Sequence, residues 1–294
     1  MARRLAFGLA STLVVVAVWL QTPGAGGSGT FAADLTGGAS AGDPWSSATH
    51  TIDVDGTSRS YLLVRPKAVA STASLPVLVV LHGHDATPEA ELERTGFKDV
   101  VGSAILVYPA GIGESWNAGG CCGIAYVQDV DDVSFIKDVV SDVLNTQTDA
   151  SHSAVYAAGY SNGARMIYEI ACKAPNLFTA VAAVGAISTG ACAQPSPFTI
   201  VQVAYNGDPE LNPIDVDNQM ATVRSDDACN SDFQRLTVGT VTVTQWSSCD
   251  TKHDVTRVTY EGNSHGWPTG DVFTPPAQKL IWQFLTLAKA PAAS

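Results

Sequence analysis

In Gly159-Tyr160-Ser161-Asn162-Gly163 a serine stands between two glycines, each two positions away. A serine hydroxyl is a poor nucleophile at neutral pH. It needs a base within hydrogen-bond reach and a carboxylate to orient that base, a set that performs acyl transfer. Of the six histidines, only His253 and His265 lie beyond Ser161. His265 sits in Gly262-Asn263-Ser264-His265-Gly266-Trp267-Pro268, a loop just past the last apolar strand segment, whereas His253 precedes that segment among polar residues. His265 is therefore the expected base. The carboxylate is expected in Tyr205-Asn206-Gly207-Asp208-Pro209-Glu210-Leu211-Asn212-Pro213, which holds two acids. Asp208 comes first, and its short side chain suits a fixed bond to imidazole; Glu210 is the alternative acid.

Acyl transfer also needs donors aimed at a developing oxyanion. The backbone N–H of Asn162, directly after the serine, is the first candidate, and that of His84 in Leu81-His82-Gly83-His84-Asp85 is the second. The side chain of His82 is read as a structural hydrogen-bonding group rather than a second base. Trp116, Tyr160 and Trp267 fall near these residues and are candidates to line a substrate pocket.

These groups must be positioned by a scaffold. Leu75 to Leu81, Ala104 to Tyr108, Ala154 to Ala158, Phe178 to Ala186, Phe198 to Ala204 and Val255 to Tyr260 are short apolar runs of the kind that form strands buried on both faces. Helical stretches lie between or after them: Asp132 to Leu144, with Val133, Ile136, Val140 and Leu144 on one stripe, Asn162 to Lys173, and Pro275 to Ala288. The alternation predicts an α/β domain with a mostly parallel central sheet covered by helices on both faces. His50 to Pro66 reads as an opening hairpin around the Asp55-Gly56 turn signal. Ser161 falls between a strand and a helix, the nucleophile-elbow context of the α/β-hydrolase fold, and the tight turn there admits only small residues at 159 and 163.

The 294-residue chain is 46% hydrophobic and 15% charged, with a formal net charge of -12. That balance fits one well-buried domain and argues against nucleic acid as a partner. An apolar run from Leu5 to Leu20 follows Arg3-Arg4 and precedes small and turn-forming residues, a signal-peptide pattern too short to span a bilayer. The expected organisation is a leader over 1–30, a flexible linker over 31–48 and a catalytic domain over 49–294. Export without stable membrane association follows, and six cysteines then imply disulfides rather than a metal site. Cys172 with Cys192 and Cys229 with Cys249 are the nearest partners in sequence. Adjacent Cys121 and Cys122 stand closer than the usual bridge spacing, and their pairing stays open.

Arg59-Ser60-Tyr61, Leu81-His82-Gly83, Trp116-Asn117 with Cys121-Cys122-Gly123, Asp131-Asp132-Val133-Ser134-Phe135, the elbow and Gly262 to Pro268 together resemble the secreted polyhydroxybutyrate depolymerase and feruloyl esterase-like family of α/β-hydrolases. The resemblance implies a serine carboxylesterase needing no cofactor, acting on hydroxyalkanoate esters or oligomers, or alternatively a feruloyl or acetylxylan esterase on plant polysaccharide. The chain departs from the family pattern at two places. Asn206 to Glu210 replaces the usual His-Gly-Thr-x-Asp, so the acid matches Glu210 without a gap and Asp208 by the Asp-Pro and Leu-Asn-Pro pieces. His84-Asp85-Ala86 lacks a usual glycine. These departures motivate a reading from a different class, a catalytically silent homologue that binds surfaces.

Overall fold

In the computed structural model residues 43–189, 198–250 and 253–288 are described, all within the unit Asp43–Ser294. The segments on either side of Asp55-Gly56 form β1 (Trp45–Val54) and β2 (Thr57–Pro66), paired antiparallel from Val54 opposite Thr57 to Trp45 opposite Pro66. Asp55 and Gly56 both have positive φ, 50° and 81°. That is the primed turn whose twist matches its flanking strands. β1 starts four residues before the expected domain boundary at 49, so 45–48 belong to the sheet and not to a linker. Pairing with β2 orders these little-buried residues, which could not order themselves by burial. The expected leader and the rest of the linker lie outside the described residues.

The apolar runs form β3 (Leu75–Leu81), β4 (Ile105–Pro109), β5 (Ala150–Tyr160), β6 (Ala180–Val184), β7 (Thr199–Tyr205) and β10 (Val255–Tyr260). A hairpin that the sequence reading did not anticipate, β8 (Gln234–Val238) with β9 (Val241–Trp246), precedes β10. The sheet order is β1-β2-β4-β3-β5-β6-β7-β10-β9-β8. Its central pairings, from β4 through β3, β5, β6 and β7 to β10, are parallel, and both ends are antiparallel.

Among the described residues six α-helices flank these strands: α1 (Pro88–Thr95), α2 (Gly123–Val127), α3 (Asp132–Thr146), α4 (Asn162–Lys173), α5 (Pro213–Asp226) and α6 (Ala277–Leu287). Alternate strand residues such as Val77, Val79, Leu81 and Ile105 join Phe135 and Val139 of α3, Met166 and Ile170 of α4 and Val216 and Met220 of α5 in one core cluster. Tyr156, one position out of phase with Val155 in that cluster, meets Trp282 of α6 edge-on on the opposite face. The sheet is thus covered on both faces. Asp131 caps α3, accepting from the Ser134 N–H at 3.0 Å.

Candidate active site

β5 ends at Tyr160 and α4 begins at Asn162, leaving Ser161 alone in the connection with φ 52° and ψ −114°. A non-glycine residue there costs about 1–3 kcal/mol and persists only where its surroundings enforce it. They do so here by close approach. A Cβ on Gly159 would stand 2.4 Å from the Gly163 carbonyl oxygen, and one on Gly163 would stand 2.3 Å from that of Leu81. The Ser161 N–H donates to the Val184 carbonyl at 2.8 Å, tying the turn to β6. The strand–turn–helix geometry lifts the serine side chain off the sheet toward the loops that follow β7 and β10.

Those loops bring the other two residues. The Asp208 carboxylate lies 3.0 and 3.1 Å from His265 Nδ1, and His265 Nε2 lies 2.9 Å from Ser161 Oγ. With Nδ1–H donated to Asp208, Nε2 is left to accept the serine proton. Asp208 is buried, and its Oδ1 also accepts from the Glu210 N–H at 2.9 Å, so the turn itself fixes the carboxylate. Glu210 does not take the acid position. Its exposed carboxylate is 3.4 Å from Nε2, the nitrogen on the serine side of the ring. His253 is elsewhere, 3.3 Å from the buried carboxylate of Asp227.

Both candidate oxyanion donors are available. The Asn162 N–H is in the first turn of α4, where backbone donors have no intrahelical acceptor. The His84 N–H meets no protein acceptor among the described residues, while the following Asp85 N–H donates to the Glu114 carbonyl at 3.0 Å. Asp85 has φ 55°, so an aspartate supplies the left-handed turn at the place where a glycine was missed. The start of α2 presses on this loop, because a Cβ on Gly123 would lie 2.9 Å from His84 Nε2.

Motif pieces far apart in sequence converge beneath the site. Arg59 and Asp132 form a buried ion pair at 2.8 Å, Arg59 lies 3.8 Å over the Phe135 ring, and Asp132 accepts from the Asn117 N–H at 2.8 Å. Trp116 Nε1 donates to the His82 carbonyl at 2.8 Å, and His82 Nε2 accepts from the Gly111 N–H at 2.9 Å. Burial pushes the His82 imidazole down to about 4, which keeps it neutral and suits it to accept. The Asn162 side chain was not singled out beforehand, yet it holds the loop carrying Trp116 and Cys121. Its Oδ1 accepts from the Trp116 N–H at 2.7 Å, and its Nδ2 donates to the carbonyls of Trp116 and Cys121, both at 3.1 Å. A polar residue directly after the nucleophile was the only sequence signal.

The three aromatic candidates are all buried. Trp116 is fully buried, while Tyr160 and Trp267 expose only 7% and 6% of their surface. They support the site from behind: the Tyr160 hydroxyl donates to the His265 carbonyl at 2.9 Å, and its ring lies edge-on to Trp267, whose Nε1 donates to Gln278. Cys121 and Cys122 are bonded to each other across a cis peptide, and Cys229 is bonded to Cys249. Cys192, the expected partner of Cys172, lies outside the described residues. Among the described residues no group of three or more His, Cys, Asp or Glu could hold a metal ion, and no helix is long and apolar enough to cross a membrane.

A nucleophile elbow at the end of a central parallel strand, with helices on both faces, defines the α/β-hydrolase fold, and the chain has that fold. Among solved structures it is similar to an acetyl xylan esterase from Aspergillus awamori, with a TM-score of 0.60 at 14% identity, over 82% of this chain and 100% of that one. In sequence it is 26% identical over 243 residues to a protein named probable feruloyl esterase C from Aspergillus terreus, covering 78% of this chain and 84% of the relative. It is 28% identical over 193 residues to feruloyl esterase C of Emericella nidulans, covering 64% and 66% of the two chains. No protein-family model matches the chain.

Proposed function

We propose that this protein is a carboxylic ester hydrolase that works through an acyl-enzyme on Ser161. The observation that carries the reading is the continuous line of hydrogen bonds from buried Asp208 through both ring nitrogens of His265 to Ser161 Oγ. Ser161 Oγ adds to the ester carbonyl carbon while His265 Nε2 takes its proton, and Asp208 orients the ring and stabilises the imidazolium. The oxyanion accepts from the N–H groups of Asn162 and His84. Collapse breaks the acyl C–O bond, His265 protonates the departing alkoxide, and water repeats the sequence to release the acid.

Two sequence relatives bear the name feruloyl esterase, which favours hydroxycinnamoyl esters on plant polysaccharide as the substrate class. The motif resemblance favours a second reading, hydroxyalkanoate esters or oligomers. Export is part of the proposal, supported by the leader-like N-terminal sequence and by the Cys121–Cys122 and Cys229–Cys249 disulfides among the described residues, bonds that persist in oxidising compartments.

The test is hydrolysis of p-nitrophenyl acetate and butyrate, methyl ferulate, acetylated xylan and hydroxybutyrate oligomers by the protein and by Ser161→Ala. Turnover lost in the variant supports the serine mechanism, and the preferred acyl group names the substrate. A folded protein inactive on the whole panel and unreactive toward a fluorophosphonate would point instead to a silent surface-binding homologue.

A further inference from the structure

The chain carries 16 basic and 28 acidic residues, yet one cleft of about 350 Å³ reverses that balance. It lies between α5 and the β8–β9–β10 end of the sheet, and three guanidinium groups line it, Arg224, Arg235 and Arg257, against a single carboxylate, Asp217. Alternation along β9 and β10 turns Thr242, Thr244 and Thr259 into the same space, placing hydroxyls where a helix-covered sheet normally presents aliphatic side chains.

Two of the arginines are held but not used. Arg224 Nε donates to the Met220 carbonyl at 3.2 Å while its guanidinium lies 4.5 Å over the Trp246 ring. Arg235 Nε donates to Thr244 Oγ1 at 3.1 Å and its guanidinium lies 4.9 Å over Phe233. Among the described residues the terminal nitrogens of both meet no protein acceptor. Arg257 is paired with Asp217. Stacking and the Nε bonds restrict these side chains before any ligand arrives, which lowers the ordering cost of binding. Paired guanidinium forks match the oxygens of carboxylate, sulfate and phosphate.

We infer that this cleft is an oxyanion-binding site, taking the chemistry shared by free sulfate or phosphate and the carboxylate of an acidic sugar. The inference is independent of the esterase reading, because binding is read without turnover. Trp246, under Arg224, is the reporter. Its fluorescence is titrated with sodium sulfate, sodium phosphate and a galacturonate oligomer at low, matched ionic strength, with sodium chloride as control. A saturable response to sulfate and phosphate is expected. A stronger response to the oligomer would identify an acidic saccharide as the source, and an equal one would identify the free anion. Arg224→Gln and Arg235→Gln, checked for unaltered melting, should each weaken binding at least fivefold. Asp217→Asn, which removes the competing carboxylate, should tighten it severalfold and tests the idea without removing an arginine. A response no larger than that to chloride, or one unchanged in all three variants, would overturn the assignment.

Discussion

Asn162 and Trp116 exchange hydrogen bonds in both directions: the asparagine Oδ1 accepts from the Trp116 N–H and its Nδ2 donates to the Trp116 carbonyl. The residue whose backbone N–H is proposed to bind the oxyanion thereby also clamps the loop that leads to Cys121. Asn162→Ala keeps the backbone donor and removes three side-chain bonds, two of them fully buried, each worth about 1 kcal/mol. The expected outcome is a loss of about 2–3 kcal/mol in denaturant unfolding, faster amide exchange over 116–123 and at least a tenfold fall in kcat/KM. Exchange over 116–123 equal to that of the parent protein would contradict the clamp.

The backbone of Ser161 separates chemistry from strain. Ser161→Ala and Ser161→Gly should both abolish turnover. Only glycine relaxes the positive φ, so Ser161→Gly should be more stable than Ser161→Ala by about 1 kcal/mol. Thermal unfolding of the two variants side by side checks this, and equal midpoints would count against strain at the elbow.

Asp208 and Glu210 make opposite predictions because they face different nitrogens of His265. Asp208→Asn should lower kcat by about 10³–10⁴, since the ring loses the partner that selects its tautomer. Glu210→Gln should stay within about threefold of the parent, as expected of an exposed charge. Steady-state kinetics on p-nitrophenyl acetate would expose a reversed assignment at once.

Two buried groups give stability opposite pH slopes. His82 is pushed down from 6.5 to about 4 by burial, so the folded state resists a proton that the unfolded chain accepts. Its contribution is present above pH 6.5 and is lost as pH falls from there through 4. Glu91, fully buried in α1 beside Arg94, is pushed up from 4.5 to about 7 by burial. Its contribution is present below pH 4.5 and is lost as pH rises through 7. Relative to the parent, His82→Gln should show stability that declines more as pH rises from 4.5 to 7, and Glu91→Gln should show stability that rises more. Urea unfolding at half-unit pH intervals reads both slopes, and parallel curves for all three proteins would rule the coupling out.

The strands β3 to β7 and β10, the helix α4 and the Asp55-Gly56 turn were legible because each is written locally, in continuous apolar runs, 3.6-residue spacing or turn residues with positive φ. The less legible elements lack such a signature. α5 buries only Val216, Met220 and Val223 among its fourteen residues, and its one clear signal was Asn212-Pro213, a cap followed by proline. β8 leaves most of its residues exposed and pairs only with β9, which is held in turn by the edge of β10; the alternation Val241-Thr242-Val243-Thr244 after the Gly239-Thr240 turn was the signal that could have found this hairpin.

By itself the sequence determined the α/β class and pointed to Ser161 at a strand–turn–helix junction and to His265 in the loop after the last parallel strand, since these depend on elements in immediate succession and on order along the chain. Only the tertiary structure set Asp208 rather than Glu210 against His265 Nδ1, buried Trp116, Tyr160 and Trp267, and brought Arg59, Trp116, Asp132 and Asn162 together beneath Ser161. The physical reason is that two carboxylates two residues apart differ in nothing local: which one faces Nδ1 depends on how the loop after β7 closes against the loop after β10, and that contact spans 57 residues.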